Sequence, residues 1–188
     1  PGIGKTTLVE DFLGELTAGG QPCSIARGRC SERLAGAEAY LPFLEALDGL
    51  LHSPGSQPLA RLMKLVAPTW YVQISPQGAD SSAAGLMDEI RTASQERMKR
   101  ELMALLKEIS RQRPLVLFFD DLHWADASTV DLLAYLAAQF DSLPIMIVAT
   151  YRAAEMLLAK HPFPSVKLDL QARGVCHELA LEFLTTDD

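Results

Sequence analysis

The 188 residues carry 17 Lys and Arg against 24 Asp and Glu, a formal net charge of -7, with 48% hydrophobic and 22% charged side chains. That balance suits one globular domain able to bury a sizeable core, and it argues against direct nucleic-acid binding by this segment. No apolar run approaches the ~20 residues of a membrane span and no signal peptide is visible, so the reading is a cytoplasmic protein with no membrane partner. Cys23, Cys30 and Cys176 are odd in number and form no C-x-x-C pair, which points to reduced, packed thiols rather than a zinc or disulfide framework.

The chain opens on Pro1-Gly2-Ile3-Gly4-Lys5-Thr6-Thr7. These are the last residues of the phosphate-binding pattern G-x-x-x-x-G-K-[ST], in which backbone N–H groups wrap the phosphates, the Lys reaches the β/γ oxygens and the hydroxyl ligates Mg²⁺. Gly4, Lys5 and Thr6 fill its last three positions, and its first Gly would fall two residues before Pro1. The expectation is therefore a partial domain over residues 1–188, a fragment that starts inside the loop, lacks the strand feeding it, and ends near the start of a further C-terminal region.

Residues 6–17 place Leu8, Val9, Phe12, Leu13 and Leu16 at helical spacing before Gly19-Gly20, so the loop runs into a helix whose positive end faces the phosphates. A short strand over 22–28, a polar loop over 29–36 and a helix over 42–51 follow. From 53 to 85 the composition turns to Pro, Gly, Ser and Gln, which reads as a short helix at 59–66 and then a long loop. Trp70 and Tyr71 there would cover the core or, alternatively, hold an adenine or a partner.

Residues 86–110 predict a long amphipathic helix with Met98, Leu102, Leu105, Leu106 and Ile109 on one face. The uninterrupted apolar run 115–119, ending in Asp120-Asp121, is the pattern of a parallel strand buried on both faces. A helix over 128–140 follows, with Ser128 and Asp131 at capping-box-like spacing. A second apolar strand over 145–149 ends at Thr150-Tyr151-Arg152, and a weaker strand is expected near 175–181. Strands alternating with helices, each strand ending in polar residues, indicate an α/β parallel sheet with helices on both faces and a ligand at its carboxyl ends.

An acid at the end of a buried strand suits Mg²⁺, which keeps most of its waters and takes one or two protein oxygens. Asp120 would hold the metal directly or through water. Asp121 would orient or deprotonate an attacking water, the alternative being a second solvated acid at a strand end. Arg152 would reach the γ-phosphate and report its presence, the alternative being a surface Arg, and Thr150 would assist by hydrogen bonding. His123 reads as a structural hydrogen-bonding residue and Trp124 as core.

Four segments together carry a family resemblance: Gly28-Arg29-Cys30, the run from Ala39 to Leu47, the run from Pro114 to Asp126 with its Asp-Asp-Leu-His-Trp-Ala-Asp core, and Ala149-Thr150-Tyr151-Arg152. In these the chain resembles the bacterial STAND ATPases, AAA+-related modules of large signalling proteins and transcriptional regulators. The resemblance implies a three-layer P-loop NTPase fold of the AAA+/ASCE-like kind, its first strand truncated, that binds ATP or ADP with Mg²⁺. By the same resemblance Gly2, Gly4, Lys5, Thr6 and Thr7 would bind phosphates, with Lys5 and Asp121 catalytic. Thr6 and Asp120 would hold the metal, and Arg152 would occupy the sensor position. The missing strand would lie between the strands ending at Asp120 and Thr150 or beside their neighbours, and this segment by itself would bind ATP poorly.

The implied function is a switch, ADP-bound at rest and ATP-bound when self-associated, beside output and sensor domains such as a winged helix or a cyclase and TPR repeats. Many AAA+ ATPases place Glu where Asp121 stands; one methylene shorter, Asp121 would position water less well, which suits slow turnover. The alternative is a nucleotide-binding assembly platform without significant hydrolysis. A small-molecule kinase ranks last, because no Arg-rich lid segment is evident.

Overall fold

The computed structural model describes residues 4–20, 22–32, 39–75, 95–140 and 143–181. The first helix is α1, Lys5–Ala18, followed by strand β1, Ser24–Arg29. Helices α2, Leu41–Leu51, α3, Gln57–Val66, α4, Pro68–Ile74, and α5, Gln95–Gln112, lead to β2, Leu115–Asp120. A 3₁₀ turn, Leu122–Trp124, and helix α6, Ala127–Ala137, connect to β3, Ile145–Ala149. Helices α7, Ala153–Leu158, and α8, Phe163–Ala172, complete the described elements.

The three strands form a parallel sheet in the order β1-β2-β3, with Arg29 opposite Asp120 and Phe119 opposite Ala149. β2 is apolar from Leu115 to Phe119 because both of its faces and both of its edges are covered, and every residue in it is buried. Its alternate side chains serve two separate packings. Leu115, Leu117 and Phe119 meet Phe43 of α2, Trp70 of α4, Leu102, Leu105 and Leu106 of α5, and Leu132, Leu133 and Leu136 of α6. Val116 and Phe118 meet Leu13 of α1, with Val9, Leu16, Ile25 and Val148 around them.

Gly28 is required where α2 crosses β1, since a Cβ at that position would sit 1.8 Å from the carbonyl oxygen of Pro42. That close approach brings Phe43 onto Phe119, ring centroids 4.7 Å apart, and Trp70 behind it at 6.3 Å. The indole Nε1 of Trp70 donates to the Met98 carbonyl at 2.9 Å, so the buried ring has no unmet polar group. Trp70 is thus a core residue in a helix, not part of a loop. Pro68 at the helix start and the Glu101 carboxylate, which accepts from Thr69 N at 2.9 Å and from its hydroxyl at 3.0 Å, nucleate that short element.

Several expectations need correction. The helix after the acids starts at Ala127, and its cap is Asp126, whose Oδ1 accepts from Ser128 N at 2.8 Å and Thr129 N at 3.1 Å. Asp131 instead binds the buried Lys99 Nζ at 2.6 Å. Residues 175–181 form no strand; Glu178 turns that segment back onto Lys167 Nζ at 2.8 Å and onto the Tyr151 hydroxyl. β2 and β3 pair directly, which leaves no place for a strand between them, and β3 is less enclosed than its sequence suggests, with Met146 half exposed. The portion 86–94 of the long helix and the portion 76–85 of the expected loop lie outside the described residues. Among the described residues no helix is long and apolar enough to cross a membrane.

Candidate functional site

Gly4 adopts φ 79, a left-handed conformation that favours glycine, and its carbonyl accepts from Leu8 N at 2.9 Å to start α1. The first amides of a helix have no partner within it and carry the positive end of its dipole. Gly4, Lys5, Thr6 and Thr7 therefore present N–H groups and a cation to one open cleft of about 270 Å³, whose other walls are Asp121, Thr150 and Arg152. These seven residues come from the start of α1 and from the segments just past the carboxyl ends of β2 and β3. Gly2 lies outside the described residues.

Asp120 is buried at the end of β2, under that cleft. The Thr6 hydroxyl lies 3.0 Å from its Oδ1 and 3.1 Å from its Oδ2 as donor. The Thr150 hydroxyl donates to Oδ1 at 2.5 Å and accepts from Asp121 N at 3.0 Å, so β3's end is tied to β2's end through one side chain. The backbone continues the tie, with Leu122 N donating to Thr150 O at 2.8 Å. A carboxylate and a hydroxyl side by side are hard oxygen donors of the kind Mg²⁺ prefers. Among the described residues no group of three or more His, Cys, Asp or Glu is placed to enclose a metal. The pair fits an ion that draws its remaining ligands from water and phosphate.

Asp121 holds a left-handed backbone, φ 56 and ψ 42, which Asp tolerates better than most residues and which breaks the strand into the 3₁₀ turn. Its carboxylate lines the cleft, 3.4 Å from the largely exposed Arg29 guanidinium and 3.9 Å from His123 Nδ1. Arg152 reaches the cleft while its Nη1 donates to Glu155 Oε1 at 2.6 Å. That bond holds the Arg152 pKa above, and the Glu155 pKa below, their ordinary values.

His123 is fully enclosed, and neither ring nitrogen makes a hydrogen bond of good geometry, although Nε2 lies 3.2 Å from Glu155 Oε2. Burial pushes its pKa down, opposed by the nearby Asp121 and Glu155 charges. The structure thus brings Gly4, Lys5, Thr6, Thr7, Asp120, Asp121, Thr150 and Arg152 together, and it adds Arg29 and Glu155, which motif reading alone did not single out. Glu155 carries one sequence signal, its position three residues after Arg152 in the first turn of α7. Trp124 packs half-buried beside the core, its ring 5.1 Å from His123. Cys30 is buried behind β1 and its thiol is pushed up to about 12, an inert group, while Cys23 and Cys176 are also free.

A family model described as "AAA ATPase domain" matches residues 1–148. An uncharacterized protein of Rhizobium meliloti (strain 1021) is 33% identical over 101 residues, a stretch that covers 47% of this chain and 10% of that protein's length. No solved structure gives a significant match.

Proposed function

The chain belongs to the AAA ATPase domain family, and from that premise we propose that it is the nucleotide-responsive switch module of a larger regulator, of the STAND kind, binding ATP with Mg²⁺ and hydrolysing it slowly. The reading rests above all on one observation, the Thr6 hydroxyl against the buried Asp120 carboxylate at the N-terminus of α1, with Lys5 and Arg152 in the same cleft. On this reading the α1 amides and Lys5 bind the β- and γ-phosphates, and Thr6 and Asp120 hold the metal. Mg²⁺, when bound, offsets the charge that develops on the phosphate oxygens. Thr150 fixes Asp120 and the Asp121 backbone, and Asp121 orients a water toward the γ-phosphate. Arg152 binds that phosphate and makes the ATP and ADP states different.

The three-layer P-loop architecture, self-association in the ATP state, and neighbouring output and sensor domains belong to the same proposal. The small share of the Rhizobium protein that aligns supports a module within a long chain.

A second reading, a nucleotide-held assembly platform with negligible turnover, is favoured by the engagement of Asp121. Its carboxylate already faces Arg29 and the His123 ring, which leaves it less available to a water. One experiment on the full-length protein addresses both. Lys5→Ala should lower ATP affinity at least about 100-fold, because it removes a cation in direct contact with phosphate; unchanged affinity by calorimetry would sink the assignment. In the same protein, bound ATP should convert slowly to ADP, and Asp121→Asn should slow that conversion further. ATP that stays intact in both proteins would favour the platform.

A further inference from the structure

Arg152 is the N-cap residue of α7 and Glu155 lies in that helix's first turn. The two oxygens of the Glu155 carboxylate face different partners. Oε1 accepts from Arg152 Nη1 at 2.6 Å on the cleft side, and Oε2 lies 3.2 Å from Nε2 of the enclosed His123 on the other. His123 stands on the 3₁₀ turn that follows Asp121, so its position is set by the same segment that carries the acids. One carboxylate therefore spans from a cleft-facing guanidinium to an imidazole that is itself immobilised in the interior.

A guanidinium has five N–H donors in a rigid fork, and a single bond to Glu155 leaves the others directed elsewhere. Holding the arm does not consume it. A free Arg side chain loses rotamer freedom when it binds an anion, and that ordering cost falls if the arm is already fixed. The opposing effect is repulsion between the Glu155 carboxylate and an incoming phosphate. Both side chains are more than a third exposed or close to it, so screening weakens that repulsion, while the ordering gain is not screened.

We propose that Glu155 is a positioning residue for Arg152, presenting the guanidinium to the terminal phosphate, with the enclosed His123 ring packed against the far side of the Glu155 carboxylate. This rests on the reading of Arg152 as the residue that distinguishes ATP from ADP. It adds a residue from α7 to the site and makes phosphate recognition depend on how α7 is seated against the 3₁₀ turn.

The test measures Mg²⁺-ATP and ADP affinities in the full-length protein for the parent, Glu155→Ala, Glu155→Gln, Arg152→Ala and the double Ala variant. Glu155→Ala should weaken ATP roughly two- to tenfold, the size of one side chain's ordering cost, and leave ADP unchanged. Glu155→Gln keeps an acceptor oxygen for Arg152 and an amide for the imidazole, so it should stay near the parent. The double variant should be no worse than Arg152→Ala, because Glu155 acts through Arg152. The proposal is overturned if Glu155→Ala leaves the ATP-to-ADP preference unchanged or raises it while Arg152→Ala lowers it, or if the two losses add in the double variant. If Arg152→Ala itself leaves the preference unchanged, the reading of Arg152 has failed and the role of Glu155 falls with it. An equal loss of ATP and ADP binding in Glu155→Ala would mark a merely structural residue.

Discussion

The two faces of the sheet are packed very differently. On one, Leu115, Leu117 and Phe119 are the floor of a broad cluster fed by α2, α4, α5 and α6, with Phe43 and Trp70 as its largest enclosed rings. On the other, Val116, Phe118 and Leu13 are the buried members among the described residues, and α1 leaves Leu8 and Phe12 substantially exposed. The helix whose first residues line the cleft is thus the one with the smaller apolar attachment. Its seat is completed by polar ties, Thr6 to Asp120 at the cleft and Glu10 to Arg27 further along. The broad face fixes where Asp120, Thr150 and Arg152 stand, and the narrow face leaves α1 answerable to what binds at its N-terminus.

Removing a large side chain from each face measures the difference. Trp70→Ala deletes an enclosed ring together with its bond to the Met98 carbonyl, and it should cost about 3–5 kcal/mol in urea unfolding. Leu13→Ala should cost about 2 kcal/mol, the low end for a buried Leu, because the sparse surroundings can close on the gap. The sharper contrast is in ligand response: Leu13→Ala should weaken ATP binding, whereas a variant of the broad face that still folds, such as Trp70→Phe, should not. Equal ligand effects would remove the distinction between the faces.

A smaller effect tests the seam where the 3₁₀ turn meets α7. Burial lowers the His123 pKa, so the unfolded chain takes up a proton at the ordinary value of 6.5 before the folded chain does. Stability is then fully present above that value and is lost as pH falls through it, levelling off once the folded pKa is passed. The slope for this one proton cannot exceed about 1.4 kcal/mol per pH unit. Glu155 and Glu178 are held below the ordinary value of 4.5 by Arg152 and Lys167, so their contribution is lost only in more acid solution. The urea midpoint should therefore drop between about pH 7.5 and pH 5.5, and His123→Gln should flatten that drop. An unaltered slope in the variant would assign the loss to another group.

How much of this was legible in the sequence depended on whether the signal was local. The Gly4-Lys5-Thr6 run, the buried strand ending in Asp120-Asp121 and the apolar face of α5 all declare themselves through spacing alone, and the structure has each in place. The polar ends of β2 and β3 were visible, but the bond from Thr150 to Asp120 needed the register that sets Phe119 beside Ala149. Glu155 had only its i+3 spacing from Arg152 to mark it, since its approach to His123, on another element, needed the fold. Short helices were the other loss. α4, seven residues long, lay in the stretch read as loop, and α7 and α8, of 6 and 10 residues with low apolar periodicity, were not anticipated. The expected strand at 175–181 does not form; its Glu178 is drawn to Lys167 and Tyr151 instead of into a ladder.

The smallest effect belongs to the exposed tie on the narrow face. Arg27 Nε lies 3.0 Å from Glu10 Oε1 and its Nη2 donates to Glu10 Oε2 at 3.0 Å, a two-pronged contact between β1 and the middle of α1. Both side chains are between two-fifths and one-half exposed, which places the pair among those worth about 0.2–1 kcal/mol and sensitive to salt. Arg27→Ala should therefore lower stability by about 0.5 kcal/mol at low ionic strength, and the difference should shrink in about 0.5 M salt. Because α1 has few apolar partners, the same change should be felt at the cleft as a small loss of ATP affinity that fades with the same salt dependence. A stability loss that persists at high salt would mean that the Arg27 stem, lying across α1, contributes by packing, and the narrow face would then be better anchored than its buried residues indicate.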